Sequence, residues 1–287
     1  MSYVLKTVSA GPYTLTLETP DRALVAHDDG TRAIVRKLLA DGDQNPKTAK
    51  NEVETRGLTL APHNLAGVGT VCSYARTCPL SCLNEAGQGS MPTVQRARIA
   101  RTLLWRLCRE WFLEKLNREL AIFRDRTPAD IVCGVRANML SDIPWEKYGV
   151  PQNHPGISFY DYTKNPHRYG KTPSNYHLTF SYDGTTESLE HARRILADGG
   201  NVSVVFYDTV PNPCGKGAKK QRLPESWQGF PVIDGTKTDW RPDDTPGVVV
   251  GLKLLAKSYR ERMLAIESNF AQKIDGTTAP IVWNSAA

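Results

Sequence analysis

Cys72, Cys78 and Cys82 are the residues most suited to chemistry in this chain, set at a C-x5-C-x3-C spacing ahead of Gly87 and Gly89. Half of the 6 cysteines thus fall in one loop. Thiolates are soft ligands, and a tight group of them points to zinc or an iron–sulfur cluster. Cys-x2-Cys knuckles are the commoner zinc pattern, so this spacing is less typical of zinc. Three thiolates leave a fourth position to a distant residue, with His63 and Cys133 the nearest candidates. They can also leave it to a substrate or cofactor, as in an open, reactive site. The plainer alternatives are free core thiols or a disulfide.

A second set of polar residues gathers after apolar runs. Arg136, Asn138, Ser141 and Asp142 follow one run, Asp161 and Lys164 another, and Ser181 and Asp183 a third. Asp234, Asp239, Arg241, Asp243 and Asp244 follow a fourth. Asp142 and one of these later aspartates could form a catalytic pair, one as nucleophile and one as base. Arg136, Asn138, Ser141, Asp161, Lys164, Ser181, Asp183, Asp234 and Arg241 are the expected substrate contacts. The structural alternatives are a turn cap at Ser141 or Asp142 and ion pairs for Asp161–Lys164 and Asp239–Arg241. The segment Pro213–Arg222, with Cys214, is rich in Gly and Lys and reads as a loop at the rim.

The elements that must carry these residues are short apolar runs alternating with helical stretches. The runs are Leu58–Leu60, Ile131–Ala137, Ile157–Tyr160, His177–Phe180, Asn201–Phe206, Pro231–Ile233 and Val248–Leu252. Between them, Thr93–Arg124 and Glu187–Leu196 have helical periodicity. This alternation predicts an α/β fold with a mainly parallel sheet, as a complete or partial (β/α) barrel. Ahead of it, an alternating Tyr13–Leu17 and a helically spaced Ile34, Leu38 and Leu39 predict a small hairpin-plus-helix extension. The expected division is residues 1–55 as extension, 56–258 as the barrel-like domain and 259–287 as a C-terminal helix and tail. Residues 43–52 read as a polar linker. The cysteine loop then follows the first strand, where functional loops gather in such folds.

The chain has 287 residues, 40% of them hydrophobic, and a net charge of +6. That supports a sizeable core, and no apolar run reaches the roughly 20 residues of a membrane span. The first ten residues lack a signal-peptide core, so the expected setting is a reducing cytoplasm without membrane attachment, where disulfides are rare. The positive charge permits a nucleic-acid partner. Arg96, Arg98, Arg101, Arg106 and Arg109 crowd one helical stretch and could face a phosphate backbone or a solvated surface. Trp105 and Trp111 read as core.

Several blocks in one order resemble a family encoded by bacteriophages and plasmids, called gene-product-88-like. They are the Cys72/Cys78/Cys82 loop, Arg136 with Ser141–Glu146, Phe159–Lys164, Asn175–Ser181, and Val232–Gly235 with Asp239–Arg241. The resemblance covers roughly residues 57–257 and carries no activity of its own. The family pattern has Gly-Asp where this chain has Gly235-Thr236, so no metal or catalytic role is carried over to position 236. A phage setting implies the host cytoplasm and an enzyme that modifies a base in nucleic acid, DNA above all. Guanine transglycosylases, to which the chain has a looser likeness, imply base exchange with two catalytic aspartates, here expected to be Asp142 and Asp239, one as base and one as nucleophile, with a thiolate-bound zinc and a small-molecule base. Radical S-adenosylmethionine enzymes also place three cysteines after the first strand. Their likeness implies a [4Fe–4S] cluster with S-adenosylmethionine as partner. The third expectation is a zinc-stapled DNA-binding protein without catalysis.

Overall fold

The computed structural model describes residues 5–42, 53–85, 87–208, 221–255 and 258–278. The polar stretch 43–52 and, with Cys214, most of the Gly/Lys-rich segment 213–222 lie outside the described residues.

The N-terminal part is an antiparallel meander of β1 (Lys6–Ala10), β2 (Tyr13–Thr19), β3 (Arg22–His27) and β4 (Arg32–Val35). Period-2 alternation places Leu15 and Leu17 inward from β2. The helix expected over Thr31–Ala40 is absent. Its place is taken by β4 and β5 (Leu39–Asp41). The spacing of Ile34, Leu38 and Leu39 suits a helix, but Ile34 faces solvent while Val35 is buried. Beyond the strand, the Leu38 and Leu39 amides donate to the Glu119 carboxylate at 2.9 Å, which replaces helical hydrogen bonds.

The second sheet has the order β11-β12-β13-β10-β9-β8-β7-β6-β5. β5 pairs antiparallel with β6 (Val53–Leu58) at one edge. β6, β7 (Val132–Arg136), β8 (Ser158–Thr163), β9 (Tyr176–Ser181) and β10 (Val202–Tyr207) then run parallel in chain order. β13 (Val249–Lys253) and β12 (Phe230–Asp234) extend the parallel ladder, and β11 (Ser226–Trp227) closes the far edge antiparallel. β14 (Ala271–Lys273) pairs with the last part of β10.

The expectation of a mainly parallel (β/α) barrel is overturned. The sheet is mixed and open, with β5 and β11 at separate edges, and a second, wholly antiparallel sheet stands beside it. The described residues form four α-helices: α1 (Pro92–Leu107), α2 (Arg109–Arg126), α3 (Thr186–Ala197) and α4 (Tyr259–Glu267). No α-helix joins β7 to β8 or β8 to β9. Those connections contain Pro144, Pro151, Pro155, Pro166 and Pro173, which break helices, and they run through 3₁₀ turns instead. The single helix expected over Thr93–Arg124 is broken at Cys108.

α1 and α2 are covered on both sides. Leu15, Leu17 and Val25 of the meander share a core with Leu103, Trp105 and Phe112 and with Trp145 and Phe159. Trp105 packs on Trp145 with centroids 4.8 Å apart, and Trp111 donates Nε1–H to the Thr19 carbonyl at 3.0 Å. Across the other face of the large sheet runs the segment after β12. Trp240 packs on the Tyr160 ring at 5.0 Å, and a Cβ on Gly134 would meet it at 2.5 Å. In a flat sheet β12 and β7 stand roughly 24 Å apart at ~4.8 Å per strand. The segment Asp234–Trp240 brings Trp240 back across that span onto β7 and β8.

Candidate functional site

The cysteine loop begins where β6 ends, and α1 fixes its course. The Ala61 amide donates to Thr102 Oγ1 at 2.8 Å, and Arg106 donates to the Val68 carbonyl at 2.9 Å. Arg98 donates to the Asn84 carbonyl at 2.6 Å, and Gln95 reaches the carbonyls of Asn84 and Gly89. Arg101 reaches toward the Lys37 and Thr59 carbonyls, and Arg109 lies 4.8 Å over the Trp105 ring. Four of the five crowded arginines thus hold loops or rings of their own chain, and only Arg96 stays exposed without such a role.

Cys72, Cys78 and Cys82 line one cavity of about 500 Å³ together with Arg136, Asn138, Ser141, Asp142, Lys164, Ser181 and Asp239. The described cysteines are all free thiols. Cys72 receives the His63 amide at 3.5 Å and points its thiol at the Leu140 carbonyl at 3.5 Å. Burial pushes the Cys72 thiol up to about 12, and the nearby Cys78, Asp142 and Cys82 push the same way against the His63 amide. A thiolate at Cys72 therefore calls for a cation. Among the described residues no three His, Cys, Asp or Glu side chains converge tightly enough to hold a metal ion. The three sulfurs border a space instead of meeting at a point.

The two fourth-ligand candidates separate cleanly. Cys133 is buried within β7, where Arg124 donates to its sulfur at 3.1 Å, and it does not line the cavity. His63 does line it. Its backbone is left-handed at φ 53, a conformation uncommon outside glycine, and its Nε2 is buried without a partner. Burial lowers its pKa, which favours the neutral ring.

Both expected catalytic aspartates reach the cavity, but neither is free. Asp239 takes two hydrogen bonds from Arg136 Nη1, at 2.9 and 2.8 Å. Burial opposes the Arg136 charge, and Asp239, with Tyr162 and Asp161, more than restores it. Arg136 also lies 4.7 Å over the Tyr162 ring. Asp142 accepts from Thr163 Oγ1 at 2.8 Å, from the Lys164 amide at 2.9 Å and from Arg168 Nη1 at 2.9 Å. Arg168 also grips Glu146 at 2.9 and 2.8 Å and touches Tyr176 Oη at 3.1 Å.

Asn138 and Ser141 border the cavity while serving the loop that contains them. Asn138 Oδ1 accepts from Ser141 Oγ at 2.8 Å and from the Ile143 amide at 2.9 Å, and its own amide donates to Asp161 at 2.7 Å. Asp161 is fully buried and also accepts from Tyr176 Oη at 2.6 Å. Burial raises Asp161 to about 6, with Tyr176, Arg136 and the Asn138 amide pulling it down. Asp161, Asp183, Asp234 and Arg241 do not line the cavity. Asp183 accepts from the Thr185 amide and hydroxyl just before α3, and Asp234 holds Thr236 and stands 3.6 Å from Lys253. Arg241 is buried against Asp244 at 3.0 Å and the Thr238 carbonyl at 2.6 Å.

The sequence reading missed the apolar wall of the cavity, which includes Met139, Leu140, Val205, Leu254 and Phe270. Phe270 comes from the segment between α4 and β14 and lies 5.1 Å from the Lys164 ammonium. It also missed Ser203, although the pairing of the strands around it makes Ser203 a neighbour of Ser181.

The family model described as gene product 88 matches residues 34–271. That span takes in β5, the cysteine loop, the large sheet and α4, and begins within β4. Neither the curated proteins nor the solved structures contain a match to the chain.

Proposed function

We propose that this chain, which belongs to the gene product 88 family, is an enzyme whose three-cysteine loop holds an iron–sulfur cluster open to the central cavity, in the manner of radical S-adenosylmethionine enzymes. The observation that carries the reading is the placement of all three thiols on one loop, after the first parallel strand, against one cavity. The donor set suits the group: three partly buried free thiols on one loop are soft ligands, and a bound cationic centre stabilises them as thiolates. Sulfurs around a single zinc stand ~4 Å apart at Zn–S distances near 2.3 Å. A four-iron cluster spreads its thiolates more widely, which accords with sulfurs that border a space.

Cys72, Cys78 and Cys82 would hold the cluster. When bound, it supplies an open iron for S-adenosylmethionine and one electron for its cleavage. The chain's own residues do the rest. The neutral Arg136–Asp239 pair and Tyr162 form a fixed polar wall, and Met139, Leu140, Leu254 and Phe270 keep water from the interior.

Base exchange on nucleic acid has less support. A transglycosylase needs a free carboxylate nucleophile, and both Asp142 and Asp239 are engaged by guanidinium groups. The arginines expected to meet a phosphate backbone mostly hold their own chain. A phage origin and a host-cytoplasm setting remain part of the proposal.

Reduced, anaerobically isolated protein tests the reading through release of an adenosyl product from S-adenosylmethionine. The product is expected from the native chain and not from Cys78→Ser. A colourless zinc protein that exchanges guanine in DNA would contradict it.

A further inference from the structure

The cavity contains one place where the sheet itself opens. β10 pairs with β9 only through Val202↔Phe180 and Ser203↔Ser181, and from Val205 onward it pairs with β14 instead. The ladder therefore forks directly beyond Ser181 and Ser203. Register partners on neighbouring strands point to the same face, and both serines line the cavity. Open α/β sheets bind ligands at such splits, beyond the carboxyl ends of the strands.

Lys164 stands at this fork. Its ammonium donates to Ser181 Oγ at 3.0 Å and lies 3.3 Å from the Ser181 carbonyl, with the Phe270 ring behind it. The other charged groups of the cavity are matched. Arg136 is bound to Asp239, Asp142 to Arg168, and Lys253 stands 3.6 Å from Asp234. Among the described residues, no carboxylate lies within ion-pair distance of Lys164. Asp142, its nearest candidate, takes the Lys164 backbone amide and has its remaining capacity filled by Thr163 and Arg168. Around the fork the walls are apolar: Val205, Leu252, Leu254 and Phe270, with Met139 and Leu140 opposite.

We propose that Lys164, Ser181 and Ser203 form an anion-binding subsite at the β9/β10 fork, and that the substrate is a small molecule with one carboxylate or phosphate group and an apolar body. One ammonium with two hydroxyls suits a single anionic group, with Ser203 exchanging its long 3.4 Å hydrogen bond to the Phe180 carbonyl for the stronger charged acceptor. It does not suit a nucleic-acid backbone, whose recognition needs a row of free cations. The subsite does not depend on the cysteines or on any metal.

The test is binding of octanoate, octyl phosphate, octanol and octylammonium to the full chain as isolated, followed by thermal shift and calorimetry. Octanoate or octyl phosphate binds saturably, and the tighter of the two identifies the anionic group as carboxylate or phosphate. Loss of a charge-assisted hydrogen bond predicts about 10- to 100-fold weaker binding for Lys164→Gln. Lys164→Arg restores most of it, and Ser203→Ala weakens it by less. Circular dichroism of each variant separates lost binding from lost folding. The proposal is overturned if folded Lys164→Gln binds as tightly as the native chain, if octanol or octylammonium binds as well as octanoate, or if a DNA duplex displaces the probe. Because the subsite needs no metal, Lys164-dependent binding by a metal-free preparation leaves this proposal standing whatever becomes of the iron–sulfur reading, which the metal content tests separately.

Discussion

Two groups of polar residues gather around the loop after β7, and they differ in how completely they are satisfied. Asn138, Asp161, Tyr176, Arg168, Asp142 and Glu146 form a largely buried network in which each of these side chains has a named partner, with Asn138 and Asp142 at the border of the cavity. Also lining the cavity are His63, whose Nε2 is buried without a partner among the described residues, and Lys164, whose ammonium meets Ser181 and no carboxylate among them. Satisfied buried networks fix a structure, whereas open groups in a cleft are free to act on something else. The division assigns scaffolding to the first group and chemistry to the second.

The largest expected effect breaks the scaffold. Arg168→Met leaves Asp142 and Glu146 buried without their cation, and removing one partner of a buried pair costs about 3–5 kcal/mol. Urea unfolding measures it, and a loss near zero would erase the contrast between the two groups.

Next comes a pH effect. Asp161 ionises near 3.8 in the unfolded chain and is raised to about 6 by burial in the folded one. Between those values the native state holds the extra proton, so this group's contribution to stability falls as pH rises from about 4 to about 6, then levels off. The change is at most about 3 kcal/mol. Asp161→Asn lacks that slope, so the stability of the native chain relative to the variant should decline across the window. A flat difference would place Asp161 as an ordinary ionised carboxylate.

A smaller change links the two groups. Gly134→Ala drives a Cβ into Trp240, Thr55 and Val53. Overpacking of this kind costs about 1–3 kcal/mol. It also shifts the segment that carries Asp239, so fluorescence of Trp240 should change with it. The smallest effect belongs to the second group. Lys164 is half-buried, and Lys164→Gln keeps a donor for Ser181 while losing the charge over Phe270, so it should cost about 0.5–1 kcal/mol of stability.

Much of the large sheet was legible in the sequence. The runs at Ile131–Ala137, His177–Phe180, Asn201–Phe206 and Val248–Leu252 fall on β7, β9, β10 and β13 because Val- and Ile-rich segments buried on both faces have few other solutions. What escaped was whatever depends on distant partners. The β4–β5 stretch looked helical until Glu119, remote in sequence, supplied its acceptors. Closure into a barrel was not written locally, and the antiparallel edges with the proline-rich crossovers exclude it. The three loop cysteines, Arg136, Lys164, Ser181 and both aspartates line one cavity, and their place after strands was the signal that grouped them. Their roles were not legible, because an aspartate that accepts three hydrogen bonds and one that accepts none look the same in a sequence. Phe270 and Ser203 were missed because the fork that brings them in arises from β14, whose three residues carry little signal of their own.

The metal content of anaerobically isolated protein tests the assignment most directly, measured for the native chain, for Cys72→Ser, Cys78→Ser and Cys82→Ser singly, and for Asp239→Asn. Roughly four irons per native chain, as a [4Fe–4S] cluster requires, with most of them lost from each serine variant and kept by Asp239→Asn, is the predicted result. A native chain without iron, or serine variants that retain it, would contradict the account.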